Sequence, residues 1–118
     1  MNEPRDSARK LTFRVLIGAL VGAGLEVPAL FLAVLSAGAG HGDYVAARAL
    51  FPLPMLSTVV EGEIGMFSGG LALLQFPIYG ALIGWIVWRR SHVAGFLLAA
   101  AHMAAAAACF SGAIPNFS

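Results

Sequence analysis

Charge is what this sequence has least of. Of 118 residues, seven are Lys or Arg and six are Asp or Glu, 11% in all, where a soluble domain carries about a quarter. That shortage excludes an ordinary water-facing surface, and the net charge of +1 excludes the electropositive field that recruits nucleic acid. Cysteine is as scarce. The lone Cys109 permits no internal disulfide, and CxxC metal motifs are absent. Phosphate-cradling, dinucleotide-binding and serine-hydrolase fingerprints are missing as well. What is present is a 59% apolar chain with 14 glycines, a composition suited to lipid rather than water.

A membrane-crossing helix needs about 20 mostly apolar residues. Three stretches meet that length, at 15–39, 64–88 and 92–112. A fourth apolar stretch, 44–60, is interrupted by Pro52 and Pro54 and carries Arg48. Were it to cross, Arg89 and Arg90 would fall on the opposite side from Arg5, Arg9, Lys10 and Arg14, against the tendency of basic loops to stay cytoplasmic. Placed at the outer interface, it leaves all of the clustered positive charge on one side. The expected architecture is therefore all-α: residues 1–118 as one polytopic helical bundle in the cytoplasmic membrane, with three spans and a short interfacial helix on the outer side. The amino terminus lies inside and the carboxyl terminus outside. Asp43 is expected to cap that short helix and Pro52 to end it. Ala37-Gly38-Ala39 has the look of a signal-peptide cleavage site, but the apolar stretch before it is too long and contains Glu26, so the first span is expected to be retained.

Each span holds one conspicuous polar residue. Glu26 lies twelve residues from Arg14, Gln75 fourteen from Arg89, and His102 twelve from Arg90. A rise of about 1.5 Å per residue turns these separations into depths of roughly 18, 21 and 18 Å, close to the middle of the hydrocarbon. Such groups are costly against lipid and should face protein. On a helical wheel Glu26 shares its side with Ala19, Gly22, Ala33 and Ala37, His102 with Gly95, Ala99, Ala106 and Cys109, and Gln75 with Ser68 and Tyr79. The expectation is one buried layer of Glu26, Gln75 and His102, with Tyr79 a turn away. It would serve either as a proton or cation site or simply as polar glue between helices.

Pro28 and Pro77 each stand two residues beyond the central polar group, where a missing amide would kink the helix and free a carbonyl. Gly18 and Gly22 form one GxxxG and Gly80 and Gly84 another, both in the cytoplasmic half, as in a crude inverted two-helix repeat. Close helix packing is their ordinary meaning. Gly80 and Gly84 point away from Gln75, so a second protomer is one expected neighbour.

Other chemistry is thinly represented. His41, Asp43, Glu61 and Glu63 fall on the outer side and comprise ligand types suited to a divalent metal, although no HxxxH or HExxH spacing joins them. A metal-dependent membrane hydrolase is the reading that cluster would support. Bis-imidazole haem requires a second deep histidine, and only His102 is deep, His92 lying near the cytoplasmic end. No cofactor is expected.

The strings Gly40-His41-Gly42-Asp43-Tyr44, Leu50-Phe51-Pro52 and Leu73-Leu74-Gln75-Phe76-Pro77-Ile78-Tyr79-Gly80 resemble those of uncharacterised small bacterial membrane proteins with a GHG-x-Y, LFP and LLQFP-x-YG arrangement. The resemblance implies a bacterial cytoplasmic membrane and no particular chemistry. Chain length and a first-helix Glu are also similar to small multidrug transporters, in which a membrane carboxylate exchanges protons for cationic drugs. This chain differs in span number and lacks their aromatic-rich surroundings. Three short-looped helices enclose no aqueous path, so the functional expectation is a homo-oligomer or part of a larger membrane complex. It would translocate protons or a cation, or bind a small polar ligand, through the Glu26, Gln75 and His102 layer. The alternative is an accessory or assembly subunit without catalysis.

Overall fold

A computed structural model describes residues 2–38 and 42–114, which form five helices: α1 (Glu3–Ala37), α2 (Val45–Leu50), α3 (Pro52–Glu61), α4 (Met66–Arg89) and α5 (His92–Cys109). No strand occurs among the described residues. The three long helices α1, α4 and α5 are each long and apolar enough to cross a membrane. Their outward residues are large and apolar, including Phe13, Leu20, Phe31, Leu73, Phe96 and Met103. A water-soluble bundle would bury them; here they suit acyl chains.

α1 begins well before the expected first span. Its 35 residues extend about 52 Å, some 20 Å more than the hydrocarbon thickness. The surplus is the amino-terminal segment holding Arg5, Arg9, Lys10 and Arg14, which is helical and exposed apart from half-buried Leu11. Both α1 and α4 run without interruption through Pro28 and Pro77. The chain breaks elsewhere, at Phe51 and Pro52.

α1 and α4 make the largest interface, antiparallel, along the two GxxxG motifs. A Cβ on Gly18 would strike the Gly80 carbonyl, and one on Gly80 the Gly18 carbonyl. Gly22 is pressed in the same way on Phe76, and Gly84 on Arg14. Missing side chains let the backbones meet, which is how small residues drive association in lipid. The Gly80 and Gly84 face, where a second protomer was one expectation, is therefore occupied by α1 of the same chain.

α4 turns into α5 at Arg90 and Ser91. Arg90 takes left-handed backbone angles (φ 50°), and the Ser91 hydroxyl caps α5 by accepting from the Ala94 amide at 3.1 Å. Beyond that turn the two helices barely touch; α3 packs against both, and α1 does not pack on α5 at all. The buried apolar cluster of Tyr44, Ala47, Met55, Cys109 and Ile114 lies around α2 and α3 rather than along the spans.

The 44–60 segment differs from the expected single interfacial helix. It is a helix–break–helix hairpin. Tyr44 is the N-cap residue of α2, while the Asp43 carboxylate accepts from the Val45 amide at 3.0 Å. Pro52 does more than end α2, since it also occupies the first turn of α3, where its missing amide costs nothing. Both Phe51 and Pro52 at the tip are buried.

Candidate functional site

The hairpin tip explains where the mid-span polar residues go. In a continuous helix the amide of residue 52 would pair with the Arg48 carbonyl and that of residue 54 with the Leu50 carbonyl. Both residues are proline and have no N–H. The last carbonyls of α2 thus need outside donors, and in a lipid environment water cannot supply them. Gln75 on α4 supplies one: its Nε2 donates to the Leu50 carbonyl at 2.7 Å. His102 on α5 meets the Ala49 carbonyl through Nε2 at 3.0 Å. Cys109, fully buried, donates through Sγ to the Pro52 carbonyl at 3.3 Å.

A carbonyl only accepts, so His102 carries its proton on Nε2 and leaves Nδ1 as an acceptor. The Tyr79 hydroxyl donates to that Nδ1 at 3.0 Å, with the two rings edge-on at 5.6 Å. Phe51 stacks obliquely on Phe76, their centroids 5.2 Å apart. Gln75, Tyr79 and His102 thereby form one bonded assembly, and it closes on the hairpin backbone.

Glu26 is not in it. Its side chain is 6% exposed on the α1 face turned toward the bundle, yet among the described residues it makes no hydrogen bond, and Oε1 is buried without a partner. Among the described residues Gln75 Oε1 is also a buried oxygen left unpaired, and Arg48 Nε a buried donor in the same condition. The Arg48 guanidinium sits 6.0 Å over the Phe110 ring. Direct pairing of Glu26 with His102 is absent, consistent with α1 and α5 standing apart.

The residues considered for a metal are put to other uses or fall outside view. Both Glu61 oxygens accept amides at the start of α4, Oε1 from Phe67 and Oε2 from Ser68, each at 3.0 Å. Ser68 completes the cap by accepting from the Gly65 amide at 2.9 Å. Partial desolvation pushes the Glu61 carboxyl up, but hydrogen bonds from Ser68, Phe67 and Gly65 outweigh it and hold the group below the usual carboxylate range. Glu63 is exposed. His41 lies outside the described residues, and among those described no three His, Cys, Asp or Glu side chains gather as metal ligands.

Sequence reasoning missed the Glu61 cap and the two carbonyl acceptors. The signals were present: an acid ahead of a glycine-led helix start with Ser three residues into it, and a proline at 54 that orphans the Leu50 carbonyl beside a proline break that opens the end of α2. Compared with protein-family models, curated proteins and solved structures, the chain matches none.

Proposed function

We propose that this chain is a small multi-pass protein of the bacterial cytoplasmic membrane that moves protons or a small cation. Glu26 is the group that receives the charge. The observation carrying this reading is the Glu26 carboxyl itself, buried in a span and left without a hydrogen-bond partner. A bare carboxylate in such surroundings is costly, so its charge is cancelled by a bound proton or cation, and intramembrane carboxyls of this kind mark ion paths. The unpaired Gln75 oxygen is a second buried acceptor for an ion or a small polar ligand. Arg5, Arg9, Lys10, Arg14, Arg89 and Arg90 put the amino terminus in the cytoplasm, and the α2–α3 hairpin then enters from the outer side as a re-entrant element. One copy encloses no continuous aqueous path, so the working unit is a homo-oligomer or a larger complex.

Proteoliposomes with a pH- or cation-sensitive dye provide the test. Wild type should conduct, and Glu26→Gln should lose most of the flux; equal flux from the two proteins, or no flux from either with any cation tried, removes the proposal. A second reading, a non-catalytic assembly subunit, is favoured by the hydrogen bonds of Gln75, Tyr79 and His102, which are spent on the hairpin. Under it Glu26→Gln leaves both assembly and cell phenotype intact.

A further inference from the structure

We infer that the groove between α1 and α4 is a binding site for one acyl chain of an anionic phospholipid, with Lys10 and Arg14 holding the phosphate. The groove has a volume of about 700 Å³. Its floor is the seam where Gly18, Gly22, Gly80 and Gly84 bring the two backbones into contact, and the larger side chains on either side rise above that floor. Val21 and Leu25 wall it on one side and Ile83 and Val87 on the other.

Charge is confined to one end, and the other polar lining group, the Tyr79 hydroxyl, is engaged by His102. Lys10 and Arg14 line the groove there, and the Arg14 guanidinium lies 5.5 Å over the Trp88 ring. Neither cation is paired with a carboxylate among the described residues. The eleven steps from Arg14 to Leu25 span about 16 Å, which is half of the roughly 30 Å hydrocarbon core. The apolar channel thus has the depth of one leaflet, and its cations end where that leaflet's phosphates lie. Trp at the same level is the usual interfacial anchor. A second copy of this chain would bring the same cations to the same place and repel itself, whereas a lipid with net negative charge satisfies both ends of the groove at once.

Full-length protein in non-ionic detergent, offered equal amounts of phosphatidylglycerol and phosphatidylcholine and read by native mass spectrometry, tests this. Each Lys or Arg near an anionic headgroup contributes about fivefold in affinity, so two give roughly 25-fold. Wild type should keep one phosphatidylglycerol with a preference of that order. K10Q/R14Q should lose most of the preference, while R5Q/R9Q, on the same helix but outside the groove, keeps it. Val21→Trp, which fills the channel, should lower retention of both lipids. Equal retention of the two lipids by wild type overturns the proposal, as does a loss in R5Q/R9Q matching that in K10Q/R14Q. A lipid-free wild-type dimer that Val21→Trp converts to monomer assigns the groove to a second copy and also overturns it.

Discussion

His102 shows how far the meaning of an intramembrane residue depends on what it meets. An imidazole in a span invites a proton-relay reading, yet here each ring nitrogen has a fixed partner, the Ala49 carbonyl on one side and the Tyr79 hydroxyl on the other. Gln75 is half committed, its Nε2 engaged and its Oε1 unpaired. Removing either donor leaves a partly buried carbonyl stranded, at a cost of about 1–3 kcal/mol. His102→Ala and Gln75→Leu should therefore each lower the unfolding free energy obtained from a denaturing-detergent titration by an amount of that size. Tyr79→Phe, which takes away one neutral hydrogen bond and strands no carbonyl, should cost less, about 0.5–1.5 kcal/mol. If His102→Ala and Gln75→Leu unfold like wild type, the capping role assigned to these side chains is wrong.

At the level of elements, α3 and α4 are joined through Glu61. The carboxylate closes the first turn of α4, where free amides and the positive end of the helix dipole favour an anion. Its carboxyl is held below the ordinary value of 4.5. A depressed acid contributes stability that is present above the unfolded value and is lost as pH falls through the folded one. Hydrogen exchange at the Phe67 and Ser68 amides should be slow near neutrality and accelerate, beyond the intrinsic pH trend, as the pH drops below about 4.5. Glu61→Gln should show fast exchange at these amides already at neutral pH. An unchanged pH profile in that variant would mean that another group supplies the cap. The α1–α4 pair is held differently, by glycine-to-backbone contact along its length, and should be insensitive to pH.

Across the whole molecule, attachment is uneven. α1 and α4 share a long seam, whereas α5 is tethered to α4 by a turn and the Tyr79–His102 hydrogen bond and otherwise docks on α3 and the hairpin tip. The hydrogen bonds from His102 and Cys109 are the polar part of that docking. α5 should therefore be the first span to come away. The single cysteine reports it directly, being fully buried against Pro52. Maleimide labelling of Cys109 in detergent should be slow in wild type and at least several-fold faster in His102→Ala, with α1 and α4 still protected from exchange. Labelling at equal rates in the two proteins would contradict this order of release.

Three apolar helices, their polar mid-span residues and their basic flanks are legible in the residues alone, because length and hydropathy suffice to place a helix in lipid. The two GxxxG motifs are legible as packing faces by the same token, since little else explains glycine at that spacing in a span. Which surfaces they join is another matter. That Gly80 meets Gly18 of its own chain, that 44–60 folds into a hairpin reaching Gln75 and His102, and that Glu26 bonds to neither were decided by the tertiary structure. The reason is that a helical pattern specifies only which side of a helix is polar. Partners are chosen by the carbonyls left open where the helix breaks at Phe51 and Pro52, and those of Leu50 and Ala49 are met by residues 25 and 53 positions away along the chain.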